Sequence, residues 1–216
     1  MANNIAAERK RAAEIVERLK VEYPNAKCSL TYKTDHQLLV ATILSAQCTD
    51  KRVNQITPEL FKKYKNIESF AYCDIEELAK DIHSAGYHNS KARSIKGSAL
   101  KIVEENDGQI PTNMKDLVNL PGVGRKTANC VLGECFNVPS MVIDTHMVRI
   151  FNLLGFSKTQ NAANMELELM DIFDEKDWIK LTHMIIEHGR AVCIARRPQC
   201  NKCVLADLCP FVNISN

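Results

Sequence analysis

With 216 residues and 45% hydrophobic content, the chain can form one large or two small globular domains and is too apolar for a disordered protein. A net charge of only +2 does not by itself indicate a nucleic-acid partner, and the lack of an apolar leader or a long apolar run argues against export and membrane insertion. We therefore expect a cytosolic protein whose nine cysteines do not form a disulfide framework.

Helical periodicity dominates the chain, and only residues 138–143 favour an extended segment. Asp35 is expected to cap the second helix, Pro58 to split or kink the third, and Asp74 with Glu77 to form a capping box. This pattern predicts an all-α fold. The predicted helices cover residues 5–23, 35–46, 49–64, 74–86, 90–106, 112–119, 125–135, 144–154, 161–173 and 177–191.

A glycine-containing turn, residues 120–128, joins two of these predicted helices. Gly122 and Gly124 permit positive φ and expose backbone N–H groups at a helix start, where an anion such as a DNA phosphate binds. A tight interhelical turn without a ligand is the alternative. Lys126 follows in the first helical turn beside Arg125, and both the helix dipole and the like charge favour its neutral amine. A neutral amine can attack carbon and form a Schiff base, whereas simple phosphate contact is the alternative.

An acid at a predicted helix start, Asp144, follows an apolar approach. The residue is expected to be an N-cap, and this role is compatible with catalysis. Its carboxylate would stabilise the positive charge that develops on a sugar when the bond to a base breaks, and would accept a proton from Lys126. His146 is interpreted as structural.

Four cysteines near the C-terminus have the spacing of metal ligands. Four thiolates in a cytosolic chain hold either zinc or an iron–sulfur cluster, and the presence of only one Cys-x-x-Cys pair favours the cluster. Arg196 and Arg197 lie in the basic loop between the first two cysteines and are placed to meet phosphates. The four are Cys193, Cys200, Cys203 and Cys209.

The order of hairpin, lysine, aspartate and cysteine spacing resembles the endonuclease III family of helix-hairpin-helix DNA glycosylases, from about residue 10 to 211. Residues 44–47 and 89–92 are also similar to that family. The resemblance implies a six-helix barrel domain with the hairpin, residues 28–138. It also implies a smaller discontinuous helical domain, residues 1–27 and 139–216, which holds a [4Fe–4S] cluster, with DNA in the cleft between the two.

The implied activity is bifunctional: removal of oxidised pyrimidines from double-stranded DNA, then strand cleavage at the abasic site by β-elimination. Lys126 matches the Schiff-base lysine, Asp144 the catalytic aspartate, and the four cysteines the cluster ligands. Gln47 matches a residue that fills the gap left by a flipped nucleotide. Tyr87 stands at the wedge position, where family members often have leucine, so the identity of the intercalating residue stays open. The expected DNA contacts are Gln47, Tyr87, Lys91, Gly122, Val123, Gly124, Arg125, Arg196 and Arg197.

Two other functions fit parts of this pattern. An adenine-mismatch glycosylase of the same superfamily would carry the cluster but lack the lysine. A non-catalytic DNA-binding or redox module would use only the hairpin and the cluster. The expected partner is DNA with damaged bases or abasic sites, and we expect a monomer in a bacterial-type cytoplasm, associated with the nucleoid through DNA.

Overall fold

The structure, a computed structural model, describes residues 2–215, and every regular element in that range is helical, which confirms the all-α prediction. Short 3₁₀ turns occur at His83–Ala85, Glu175–Asp177, Cys200–Lys202 and Ala206–Leu208. None of the described helices combines the length and the apolar character that a membrane crossing needs. The α-helices, numbered α1 to α12 in chain order, are Ala2–Glu22, Asp35–Ser45, Asp50–Lys63, Ile67–Ala71, Ile75–Asp81, His88–Glu105, Met114–Val118, Arg125–Phe136, Thr145–Leu153, Ala162–Met170, Trp178–Ala191 and Pro210–Ser215.

The chain forms two compact units, of which the first, Cys28–Val138, contains α2 to α8 and is called the hairpin unit. Its central helix is α2, in which every residue from 38 to 44 is buried. A helix that is apolar on all sides is stable only when neighbours cover all of them, and α3, α6 and α8 pack around α2. Phe70 of α4 is fully buried and stacks on Tyr64 with 4.8 Å between ring centroids.

Three local predictions in this unit differ, in whole or in part, from the structure. Thr34, and not Asp35, is the N-cap of α2, because its side chain accepts the Gln37 N–H at 3.4 Å. Pro58 does not split the third helix, because α3 runs through it from Asp50 to Lys63, while a kink at Pro58 stays a prediction. Asp74 caps α5 as predicted, but Glu77 does not complete a capping box and instead pairs with Lys63 at 2.7 Å.

The remaining described residues form the second unit, called here the cysteine unit, which contains α1 and α9 to α12. Helix α11 packs against both α1 and α9. The first helix is also fixed by two arginines: Arg11 donates to the Leu154 carbonyl at 2.7 Å and Arg18 to the Val204 carbonyl at 2.9 Å. A helix from the start of the chain therefore packs with elements from its end.

The segment before α9, residues 137–144, is non-helical, and it includes the range 138–143 for which an extended segment was predicted. Its apolar side chains Met141 and Ile143 are buried, while the Val142 N–H donates to the Thr182 hydroxyl at 3.2 Å. These contacts anchor the segment, so that α9 begins at a fixed position.

Candidate functional site

The glycine turn lies between α7 and α8, and its two glycines differ in backbone conformation and in the space around Cα. Gly122 has a φ of 75°, and a Cβ there would lie 2.5 Å from the Ser94 Cβ, so only glycine fits. Gly124 is extended, with a φ of −91°, and a Cβ there would meet open space. The Ser98 hydroxyl donates to the Pro121 carbonyl at 2.6 Å, so α6 supports the turn from behind.

Gly124 is the N-cap of α8 and supplies no side-chain hydrogen bond to it. The first N–H groups of a helix have no intrahelical acceptor, so this helix start can receive an anion. Arg125 and Lys126 are the first two residues of α8, and both are exposed. Within residues 2–215, no hydrogen bond or ion pair engages the Lys126 amine.

Two further loops of the hairpin unit carry exposed side chains on left-handed backbone. Gln47 follows α2 with a φ of 52°, and Tyr87 precedes α6 with a φ of 50° and is 68% exposed. Non-glycine residues in this region are uncommon and cost conformational energy, so the surrounding structure must hold them there. Gly86, directly before Tyr87, also has a positive φ, of 69°, but with a ψ of 154°.

Lys91 differs from the expectation that it contacts DNA. The residue is only 5% exposed, and its ammonium donates to the Leu44 carbonyl and to the Ala85 carbonyl, each at 2.8 Å. Burial lowers the pKa of this group. The ammonium therefore faces the protein interior and is not available to a phosphate. The run of basic residues in 88–101 could not reveal this burial.

In the cysteine unit, Asp144 is the N-cap of α9, and its Oδ1 accepts the Met147 N–H at 2.9 Å. The residue is half-buried, and Oδ2 has no hydrogen-bond partner among the described residues. His146 packs against α11, where Gly189 makes room for it: a Cβ at Gly189 would lie 2.5 Å from the His146 ring. This position agrees with the structural interpretation of His146.

The four C-terminal cysteines line one cavity of about 410 Å³, counting the space open to solvent. Apart from these thiols and a few polar groups its wall is apolar. The wall is formed by Ile150, Leu153, Leu154, His188, Val192, Pro198, Gln199, Leu205, Phe211 and Val212 together with Cys193, Cys200, Cys203 and Cys209.

Several groups already point hydrogen-bond donors at these sulfurs. The Arg149 guanidinium donates to Cys193 Sγ at 3.4 Å, and the Leu205 N–H donates to Cys203 Sγ at 3.4 Å. The His188 Nε2 lies 3.5 Å from Cys203 Sγ, while its Nδ1 lies 3.0 Å from the Tyr23 hydroxyl. Such donors stabilise thiolates bound to a metal centre.

Burial opposes ionisation of the metal-free thiols. It raises the pKa of Cys203 to about 11 and raises that of Cys193 as well, although Arg149 partly offsets the latter. Binding of a metal centre to these cysteines would therefore release protons. Among residues 2–215, no three Cys, His, Asp or Glu side chains converge tightly enough to hold a single metal ion. Four thiols around one cavity are a suitable donor set for an iron–sulfur cluster.

Arg196 and Arg197 lie in the loop between Cys193 and Cys200, and both are exposed. The sequence identified these residues from their charge. The contributions of Arg149 and His188 were not foreseen. Arg149 lies 44 residues before Cys193, and only the packing of α9 against α11 brings it to the sulfur. His188 lies five residues before Cys193, but its contact is with Cys203, which no short-range pattern indicates.

Comparison with known proteins agrees with this geometry. A family model described as the HhH-GPD superfamily of base excision DNA repair proteins matches residues 40–175, more than half of the chain. A second model, the iron-sulfur binding domain of endonuclease III, matches residues 193–209. The chain therefore belongs to the HhH-GPD superfamily of base excision DNA repair proteins.

Individual relatives give the same result. The chain is 47% identical to endonuclease III of Synechocystis sp. over 216 residues, covering 100% of this chain and 99% of that protein. A solved non-covalent endonuclease III–DNA complex matches with a TM-score of 0.90 and 36% identity, covering 96% of this chain and 97% of that one. A trapped endonuclease III–DNA covalent intermediate matches with a TM-score of 0.90 and 36% identity, covering 96% and 98%.

These findings confirm the predicted class of enzyme and its cofactor. The chain is a base-excision DNA glycosylase and abasic-site lyase with a [4Fe–4S] cluster. The adenine-mismatch and non-catalytic alternatives are not favoured.

Proposed function

We propose that the chain binds double-stranded DNA containing an oxidised pyrimidine or an abasic site, removes the base, and cleaves the strand. The observation that carries this proposal is the exposed Lys126 amine in the first turn of α8, directly behind a glycine turn. The solved relatives support DNA as the partner, since one is a DNA complex and one a covalent intermediate with DNA.

In the proposed reaction the neutral Lys126 amine attacks C1′ of the damaged nucleotide. The bond between C1′ and the base breaks, and the base leaves with the electron pair and takes up a proton. Opening of the sugar ring leaves a Schiff base between Nζ and C1′. Removal of a C2′ proton then expels the 3′ phosphate oxygen, and water hydrolyses the Schiff base to free the lysine.

Asp144 is proposed to act on the charge of the sugar. Cleavage of the bond to the base develops positive charge there, and a fixed carboxylate stabilises it. The N-cap bond uses Oδ1 and holds the carboxylate in place, while Oδ2 stays available. The cap and the catalytic role are thus compatible in one side chain.

DNA contacts are proposed for the exposed loops. The backbone of Gly122, Val123 and Gly124, with Arg125, would bind a phosphate at the start of α8. Arg196 and Arg197 would bind a second stretch of backbone. Gln47 and Tyr87 would occupy the space that a flipped nucleotide leaves in the duplex, which offsets part of the cost of unstacking.

The cluster is proposed to be structural, with Cys193, Cys200, Cys203 and Cys209 as its ligands. When bound, it cross-links the segment 193–209 through four iron–thiolate bonds. We further propose that the enzyme is a monomer and acts in the cytoplasm on nucleoid DNA. Sedimentation at the chain mass of 24.3 kDa would support the monomer.

A trapping experiment tests the proposed chemistry. The protein is incubated with duplex DNA that contains thymine glycol or an abasic site, and borohydride is added to reduce any Schiff base. We expect a covalent protein–DNA adduct with the unmodified enzyme and none with Lys126→Gln. An adduct with Lys126→Gln would contradict the assignment of the lysine.

Two controls accompany this test. Lys115→Gln removes another exposed lysine of the hairpin unit and is expected to leave trapping unchanged. A tetrahydrofuran abasic analogue has no aldehyde, so it should bind without forming an adduct. Comparison of thymine glycol with undamaged thymine then tests the proposed preference for oxidised pyrimidines.

A further inference from the structure

The buried ammonium of Lys91 connects two segments that are distant in sequence. Leu44 lies in the last turn of α2, and Ala85 ends the 3₁₀ turn before α6. Lys91 belongs to a third element, the first turn of α6, and reaches both carbonyls at 2.8 Å. One side chain thus fixes the end of one helical segment relative to the end of another.

Each of these carbonyls directly precedes one of the unusual loops. Gln47 follows Leu44 by three residues, and Tyr87 follows Ala85 by two. Both side chains are exposed on left-handed backbone, with φ values of 52° and 50°. Strained residues keep such conformations only where neighbouring contacts hold the chain, and the Lys91 bonds are contacts of that kind for both loops at once.

A lysine ammonium is also chemically suited to hold two helix-end carbonyls together. The last carbonyls of a helical segment lack intrahelical donors, and a cation is favourable at that end of the helix dipole. An ammonium can donate to both oxygens at the same time, whereas an apolar side chain would leave two buried acceptors unsatisfied. Lys91 is also hidden from solvent, so its charge does not serve an outer surface.

We propose that Lys91 is a positioning residue that holds the Gln47 and Tyr87 loops at a fixed separation, so that both side chains enter the duplex together at an extrahelical nucleotide. The proposal rests on the proposed function of these loops. It replaces the sequence-based expectation that Lys91 itself contacts a phosphate.

The test compares Lys91→Met with a matched variant, Lys96→Met. Lys96 lies on the same helix and also donates to one carbonyl, that of Cys73, at 2.7 Å, but Cys73 belongs to neither loop. Dissociation constants are measured for a duplex with a tetrahydrofuran abasic analogue and for an undamaged duplex, over a range of salt concentrations. Unfolding temperatures of both variants are recorded, and 2-aminopurine beside the analogue reports base unstacking.

We expect Lys91→Met to weaken binding of the analogue duplex by about tenfold, with undamaged binding and the salt slope unchanged, and to reduce the 2-aminopurine signal. Lys96→Met should change neither duplex. A phosphate contact would give a different result: both duplexes would lose affinity and the salt slope would fall by about one, which would overturn the proposal. Lys91→Gln, which retains amide donors, should lose less than Lys91→Met and serves if the latter does not fold.

Variants of the loops separate this proposal from the function on which it rests. If Gln47→Ala and Tyr87→Ala leave binding of the analogue duplex unchanged, the proposed function of the loops fails. If they weaken it and Lys91→Met does not, the positioning role fails alone. Under the proposal, Lys91→Met should have little further effect in a Gln47→Ala/Tyr87→Ala background, because the groups that it positions are gone.

Discussion

The hairpin unit and the cysteine unit hold their functional groups by different physical means. In the hairpin unit, α2 is surrounded by other helices, and the loops with proposed DNA contacts lie at the ends of packed elements. Between α11 and α12 of the cysteine unit, by contrast, the regular structure of residues 192–209 consists of two three-residue 3₁₀ turns. Isolated turns of that length are weak, so this segment depends on side-chain bonds such as that of Arg18 and on its metal centre.

The hairpin unit thus positions its proposed DNA-binding loops by the packing of apolar helices, whereas we expect the cysteine segment to need bonds that packing alone does not supply. The proposed nucleophile, Lys126, is held by helix packing in the hairpin unit. The loop with Arg196 and Arg197 is expected to depend on side-chain bonds and on the metal centre. The following predictions test this difference, in order of decreasing effect.

Loss of the cluster should have the largest effect, and it should be local. Cys203→Ala is expected to abolish iron binding and visible absorption and to remove amide hydrogen-exchange protection over residues 192–209, because the cross-link is lost. Helices α2 to α8 should stay protected. The matched variant is Cys73→Ala, a half-buried thiol of the hairpin unit that donates to the Phe70 carbonyl. It should retain full iron content, and full protection of 192–209 in Cys203→Ala would contradict the prediction.

Truncation of a core aromatic should destabilise its own unit by about 3–5 kcal/mol. Phe70 and Phe151 are both fully buried, the first in the hairpin unit and the second in the cysteine unit. Hydrogen exchange with mass spectrometry should place the loss of protection from Phe70→Ala in α2 to α8, and that from Phe151→Ala in α1 and α9 to α11. Equal loss in both units from either variant would show that they do not open separately. Phe→Leu at each position is the milder control.

Alanine at the two turn glycines should separate backbone strain from helix capping. Gly122→Ala should cost about 1–3 kcal/mol, because it adds left-handed strain and a contact at 2.5 Å with Ser94. Gly124→Ala should cost clearly less, about 1 kcal/mol or below, since its φ is ordinary and the space is open. Denaturant midpoints measure both, and Ser94→Gly should partly rescue the first. Equal costs would show that the contact with α6 is unimportant.

Asparagine at position 144 should change stability least. Asp144→Asn keeps an N-cap acceptor and should alter the free energy of unfolding by about 0.5 kcal/mol or less, whereas Asp144→Ala should cost about 1 kcal/mol. Base excision should fall in both variants, because the carboxylate charge is lost. A stable Asp144→Asn with full glycosylase rate would restrict this residue to its structural role.

The sequence by itself predicted the helical fold and most helix positions, because apolar periodicity and capping residues act over a few neighbouring positions. It identified Asp74 and Asp144 as caps for the same reason. The cysteine spacing and the lysine after the hairpin identified the family, since metal ligation and backbone geometry constrain residues that are close in sequence. The catalytic role of Lys126 and the role of the four cysteines as cluster ligands stay predictions that the variants above can test.

The tertiary structure decided what depends on distant neighbours. Glu77 pairs with Lys63 of another helix instead of completing a capping box. The choice of Thr34 over Asp35 as a cap is local, and the sequence pattern misplaced it by one residue. Gly122 is required by Ser94 on another helix, while Gly124 is not. Lys91 looked like a surface cation in the sequence, and only the packing of α6 against the ends of two other segments shows it buried between carbonyls. The local sequence pattern determines which helix or loop a residue belongs to. Whether its charged group faces solvent or the protein interior depends on the segments that pack against that element.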